Sequence, residues 1–215
     1  PYLSRGLGDV YKRQLKKEMF GYVPGGYSKI LKRFTSHLAD EGVEIRTGFA
    51  PTRVTATPDG STFVEGPDGS REQFDQVVLT TPSPVISKLC PDLTDDEHSR
   101  HNGLQYQGIV CASAVLKKPL DKYYVTNITD DWVPFTAVIE MSTLVDREEF
   151  GGNSLVYLPK YVAPNDPLFE ESDESIQERF VSALEKMYPD FSRDDLIAFR
   201  ISRVRHVVSL STLDY

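Results

Sequence analysis

Two glycine arrangements in this sequence have the residue types to hold a phosphate or nucleotide. Gly6 and Gly8, in RGLGDVYK, flank one residue ahead of a helical-looking stretch. A dinucleotide loop needs a third glycine and a preceding buried strand, because these permit the tight turn, the approach of pyrophosphate and the packing of the helix. Here Asp9, Val10 and Tyr11 follow and no apolar strand precedes, so the pattern fails. Gly25 and Gly26 open a second helical pattern. Two residues without side chains allow close approach of a ligand or backbone, and a helix N-terminus presents unpaired N–H groups. They read equally as a tight turn before a helix. Thr80, Thr81 and Pro82 end an apolar run, the place where ligands lie in open α/β sheets. His98 and His101 share a helix face at i, i+3, but no further ligand completes a set at metal spacing, so no metal is expected. Cys90 and Cys111 sit in apolar settings and read as buried structural thiols. No Ser-His-Asp or Cys-His arrangement is visible in the sequence.

The elements that would position these groups follow from periodicity. Ile30, Leu31, Phe34 and Leu38 recur at helical spacing over residues 27–40, with Gly42 where a C-terminal cap sits. Short alternating or β-branched runs over 43–47, 52–57, 61–65 and 76–81 are separated by turns at Pro58, Asp59, Gly60 and at Pro67, Asp68, Gly69, which predicts a β-meander. The last run, in DQVVLTTPSP, is apolar throughout and predicts a strand buried on both faces, as in a parallel sheet. Helices are expected over 84–89 and 94–101, the second opened by Thr94 with Glu97 at capping-box spacing. Strands over 106–116, 135–141 and 154–161 point to a mixed or antiparallel sheet. Residues 172–188 carry Ile176, Phe180, Val181, Leu184 and Met187 on one face, with acidic residues near the start, and predict a helix packed on that sheet. A last strand is expected over 196–204.

Composition bounds the partners. The chain has 215 residues, 40% hydrophobic content, enough to bury a core, and a formal net charge of -8. No run of basic residues stands out except the short pairs Lys16 and Lys17 and Lys32 and Arg33, so nucleic acid is not an expected partner. No stretch reaches the roughly 18 to 20 apolar residues of a membrane helix. No integral membrane segment is expected, and a cytoplasmic location is the default. Residues 4–14, SRGLGDVYKRQ, read in one permissible codon set as a transposase sequencing adapter translated in frame. Residues 1–14 are accordingly expected to be an artefactual tail, set aside from fold reasoning, with the native protein extending upstream of Leu15.

One ordered set of segments is more specific than the rest: GYVPGGYSKILKRFTSHLADEGVEIRTG, then RVTATPDG, then DQVVLTTPSPVISKL. This order resembles the middle of flavin-containing amine oxidases and their relatives, the protoporphyrinogen-oxidase-like and phytoene-desaturase-like proteins. The resemblance implies an α/β fragment. Residues 15–90 would be the central segment of a two-dinucleotide-type FAD domain. Residues 91–215 would be a substrate-binding domain with a mixed β-sheet and flanking helices, truncated at its C-terminus. It further implies FAD as cofactor, a small-molecule substrate, and hydride transfer from a C–N or C–C bond to flavin, with this fragment inactive by itself.

Residue roles follow from the same resemblance. Gly25, Gly26, Thr80, Thr81 and Pro82 become cofactor-side residues. The family's adenine contact falls by spacing from Val54 on Pro51, which has a carbonyl but no N–H, so one of two expected backbone bonds cannot form. Tyr27 and Lys29 become substrate-lining residues. Lys117, in AVLKKPLDKYY, resembles the amine-oxidase lysine that holds a water beside flavin N5. A buried lysine has its pKa lowered and places a proton or water accurately; the competing reading is a solvated pair, Lys117 and Lys118, at a strand end. Two rival functions remain. A non-redox flavoenzyme resembling UDP-galactopyranose mutase would need clustered arginines, and alternation puts Arg203 and Arg205 on one strand face with Arg200 on the other. The second rival is a non-enzymatic binding domain.

Overall fold

The computed structural model describes residues 21–211. The expected tail over 1–14, with Gly6 and Gly8, and the Lys16 and Lys17 pair lie outside the described residues. The first helix, α1 (Gly26–Asp40), begins after Gly25, whose φ of 86° only glycine adopts freely. It ends where Gly42, at φ 81°, turns the chain out and the N–H groups of Gly42 and Val43 bond back to Ala39 and Leu38 carbonyls. The predicted apolar stripe is present, yet no residue of α1 is buried, and Leu31 is 60% exposed.

A three-stranded antiparallel meander follows, β1 (Arg53–Ala56), β2 (Thr62–Glu65) and β3 (Arg71–Phe74). Its two turns are the predicted ones. Asp59 accepts from the Ser61 N–H at 3.1 Å, and Asp68 accepts from the Ser70 N–H at 3.0 Å. Residues 43–47 and 76–81, expected as strands, are not strands. The apolar run over 76–81 was expected to be buried on both faces, but Val78 is 85% exposed. A buried strand needs hydrogen-bonded neighbours and covered faces, and neither sheet among the described residues supplies them there.

Two short helices, α2 (Ser83–Leu89) and α3 (Asp95–Gly103), lead to the second sheet. The capping box of α3 forms as its sequence predicts: the Thr94 hydroxyl accepts from the Glu97 N–H, and the Glu97 carboxylate accepts from the Thr94 N–H at 2.8 Å. The helices are pinned together by Ser87, whose hydroxyl lies 2.7 Å from His98 Nδ1 and accepts from the Asn102 amide at 3.1 Å.

The second sheet holds the core. It comprises β4 (Tyr106–Leu116), β5 (Val125–Asn127), β6 (Ala137–Glu140), β7 (Ser154–Val162) and β8 (Leu196–Ser209), in the order β5-β6-β7-β4-β8. The sheet expected as mixed or antiparallel is antiparallel at each of these pairs. Strand β8 runs to Ser209, past the predicted end at 204, because it pairs along β4 as far as Tyr106. Alternation sorts β4 by face. Val110, Ala112, Ala114 and Leu116 are fully buried and meet Ile176, Phe180 and Leu184 of α4 (Asp173–Met187), which Ser172 caps. Phe135 and Phe180 meet edge to face at 5.3 Å between ring centroids.

Two polar or backbone devices stabilise this core. Glu140 is 1% exposed and accepts from the Leu120 N–H at 3.0 Å, the Ser142 N–H at 3.3 Å, and the hydroxyls of Ser142 and Ser154. A buried carboxylate with four donors is compensated. Gly108 lies where a Cβ would sit 2.6 Å from the Phe169 ring and 3.1 Å from the Arg205 carbonyl. The β4–β8 register shifts at the same place, between Gln107 and Ile109.

Candidate functional site

Because α4 covers one face of the five-stranded sheet, the other face is left open. Register puts Ile109, Cys111, Ser113 and Val115 of β4 on it, beside Tyr157 of β7 and Arg200 of β8. None of these residues is buried. The segment entering α1 approaches this face. Burial pushes the Tyr157 phenol above its ordinary pKa, and the neighbouring Cys111 and Tyr22 push it further. Tyr22, three residues ahead of Gly25, is thus near enough to Tyr157 to act on it electrostatically. The glycine corner itself is tied to the short helix at Arg147–Phe150, where the Gly25 N–H donates to Glu149 Oε2 at 3.0 Å.

The same short stretch that carries Glu149 also meets the end of β4. Arg147 Nη2 donates to the Lys117 carbonyl at 3.0 Å, and Arg147 Nε donates to the Asn153 carbonyl at 3.3 Å. Gly25 and Lys117 are therefore brought to one end of the sheet through residues 147–153. The Lys117 side chain is exposed rather than buried, and its backbone N–H is bonded to the Asp195 carbonyl at 2.9 Å. Beside it Lys118 pairs with Asp195 at 3.2 Å. The desolvation expected for a catalytic lysine is absent among the described residues, because β4 ends there and no other element covers the side chain.

The remaining predicted residues divide. Tyr27 is 82% exposed and Lys29 is exposed, so both face outward from α1. Pro51 is half-buried just ahead of β1. Thr80 and Thr81 are exposed, and Pro82 caps α2, its carbonyl accepting from the Val85 N–H at 2.8 Å. The next residue ties that corner to the far end of β4, where the Ser83 N–H donates to the Tyr106 hydroxyl at 3.1 Å. Tyr106 and Lys117 stand at opposite ends of β4, roughly 35 Å apart at the usual rise per residue. The structure thus links Gly25 to Lys117 indirectly, through Glu149 and Arg147 of one short helical stretch, and leaves Thr80, Thr81 and Pro82 elsewhere.

The described residues fit a dinucleotide flavin in part. Exposed Thr80 and Thr81 hydroxyls and the first turn of α1 offer donors. The glycine corner itself is filled from within: a Cβ on Gly26 would sit 3.2 Å from the Tyr22 hydroxyl, and one on Gly25 would sit 3.3 Å from Lys29 Cδ. No strand followed by Gly-x-Gly-x-x-Gly occurs among the described residues. Burial holds the Cys111 thiol above its ordinary pKa, and burial with Asp92 does the same for Cys90, which keeps both protonated near neutrality. No group of three or more metal-ligating side chains occurs among the described residues. None of their helices is long and apolar enough to cross a membrane.

Three residues of this site were missed in the sequence. Ser113 and Tyr157 were legible as the face opposite Ala112 and Val156, once alternation was followed. Glu149 carried no signal, because its partner lies 124 residues away.

The same fold occurs in solved structures of other proteins. The structure is similar to a putative protoporphyrinogen oxidase from Exiguobacterium sp. 255-15, with a TM-score of 0.77 and 19% identity, covering 94% of this chain and 44% of that one. It is also similar to reduced UDP-galactopyranose mutase, with a TM-score of 0.71 and 14% identity, covering 93% of this chain and 44% of that one. In sequence, a stretch of 127 residues is 28% identical to trypanothione reductase of Leishmania donovani, spanning 58% of this chain and 25% of that protein. The family model described as flavin containing amine oxidoreductase matches residues 5–211, and the chain belongs to that family. It spans less than half the length of these relatives.

Proposed function

We propose that the chain is part of an FAD-dependent oxidoreductase that takes hydride from a C–N or C–C bond of a small organic substrate. Residues 15–90 form the flavin side and residues 91–215 the substrate side. The observation that carries this reading is the family match over residues 5–211. The tie from Gly25 to Glu149 supports it, because it sets the start of α1 near one end of the open sheet face, a floor on which a substrate can lie. The flavin, when bound, supplies the hydride acceptor. This chain's residues supply the floor, its polar groups, and Lys117 at the strand end, which serves as water holder once covered.

The non-redox alternative has one favourable observation, the similarity to UDP-galactopyranose mutase. Its arginine cluster is not free. Arg203 pairs with Asp173 at 2.6 Å and Arg205 pairs with Glu170, so both arginines serve to hold the loop before α4.

The test uses the full-length protein. Its upstream reading frame is expected to encode a strand, Gly-x-Gly-x-x-Gly and an acidic residue about 20 positions later. The purified protein is expected to carry flavin that an organic amine or a C–C donor bleaches without oxygen. Lys117→Met is expected to slow that bleaching about a hundredfold. A colourless full-length protein, or flavin that no donor reduces, overturns the reading.

A further inference from the structure

The sheet register sets three unpartnered polar side chains in one row across the open face. Tyr157 on β7 lies directly opposite Ser113 on β4, and Ser113 lies directly opposite Arg200 on β8. Facing residues of antiparallel strands point to the same side with Cβ atoms about 5 Å apart. A phenol, a hydroxyl and a guanidinium therefore span three strands, roughly 10 Å of sheet. Among the described residues none of the three has a hydrogen-bond or ion-pair partner. The contrast within β8 is direct: Arg203 and Arg205 are held by Asp173 and Glu170, whereas Arg200 is exposed and has no ion-pair partner among the described residues. The neighbouring row toward Lys117 is apolar, made of Leu155, Val115 and Ala198.

We propose that Tyr157, Ser113 and Arg200 form a subsite for the carboxylate of a small, largely apolar organic substrate. A planar guanidinium matches a carboxylate with two parallel hydrogen bonds, which an ammonium group cannot receive. The phenol, held above its ordinary pKa, stays protonated and donates, and the serine hydroxyl is free to do the same. In a chain of net charge -8, an unpaired cation beside an apolar row selects an anion with an apolar body. Calling the ligand a substrate rests on the oxidoreductase reading. The subsite itself rests on the register.

The experiment titrates the isotope-labelled chain with phenylacetate, phenylacetamide, phenethylamine and phenyl phosphate, followed by amide NMR. Phenylacetate is expected to shift the amides of Ser113, Tyr157 and Arg200, with the amide and the amine bound about tenfold more weakly or worse. Arg200→Gln is expected to weaken phenylacetate about tenfold, Arg200→Lys less, and the remote, exposed Arg100→Gln not at all. The proposal is overturned if phenethylamine binds as well as phenylacetate, if Arg200→Gln binds undiminished, or if no ligand moves these amides. Tighter binding of phenyl phosphate overturns the carboxylate assignment. Flavin reduction in the full-length protein is scored separately, so failure of the subsite leaves the redox reading standing and the reverse holds too.

Discussion

Residues 21–90 and residues 106–209 carry equally clear apolar patterns and bury them to very different degrees. In the second region Leu116, Phe135, Leu158, Ile176, Phe180 and Leu184 are at or below 1% exposure. In the first, Val54 and Leu89 are the buried apolar side chains, and the stripe of α1 lies open at Tyr27, Ile30, Leu31 and Phe34. The difference teaches that amphipathic patterning fixes an element and its apolar side, while burial depends on a second element at hand. Helix α4 has the sheet beneath it. No described element covers the stripe of α1.

Truncation in each region is the strongest way to break this comparison. Phe180→Ala is expected to cost about 3 to 5 kcal/mol, read from urea unfolding, since it removes a fully enclosed ring packed on Phe135. Leu31→Ala is expected to cost less than about 0.5 kcal/mol. Equal costs would mean that α1 is covered in solution, and the contrast between the regions would fail.

Gly108 tests the core from its backbone side. Its hydrogen is replaced by a methyl in Gly108→Ala, which would press on the Phe169 ring and the Arg205 carbonyl. The expected loss is about 1 to 3 kcal/mol in the same unfolding measurement. Gly69→Ala in the meander meets open space but keeps a φ of 81°, so its cost is backbone strain alone, about 1 kcal/mol. A Gly108→Ala protein as stable as the parent would show that the β4–β8 irregularity absorbs the methyl.

How far the sequence revealed this molecule follows the same division. Strand β4 was legible from Tyr106 to Leu116 and α4 from Ser172 onward, because alternation, helical spacing and a serine cap agree with the packing that forms. Residues 76–81 misled, because an apolar run specifies burial without supplying the neighbours that provide it. Lys117 was left open by the sequence: a lysine after a strand reads alike whether covered or solvated, and among the described residues it is exposed. The Ser87 and His98 contact was invisible, since it depends on how α2 and α3 cross.

Acid pH sharpens the comparison between the regions where they join, at the capping box of α3. Hydrogen bonds from Thr94 hold the Glu97 carboxyl below its ordinary value of 4.5. A depressed folded pKa means a contribution present above the unfolded value and lost as pH falls through the folded one. Glu97→Gln is therefore expected to destabilise the chain near neutrality and to unfold like the parent well below pH 4.5. A difference that persists unchanged in acid would show that Glu97 acts through packing instead of charge.

The smallest effect bears on whether the two regions form one site. The Gly25 N–H and the Glu149 carboxylate make an exposed bond, and such bonds contribute about 0.2 to 1 kcal/mol. Glu149→Ala should therefore leave the unfolding midpoint nearly unchanged. Its effect belongs in local hydrogen exchange. The amide of Gly25 is expected to exchange faster in the variant, while amides of β4 and β7, which open only with the core, keep their rates. Tyr22 gives the second readout, since loosening the corner moves its phenol away from Tyr157 and relaxes the upward push on the Tyr157 titration. If Gly25 exchange and Tyr157 titration are both unmoved, the corner is held to the sheet by something other than Glu149. If both move, residues separated by more than a hundred positions are joined by one carboxylate, and the open face acquires a roof from the glycine corner.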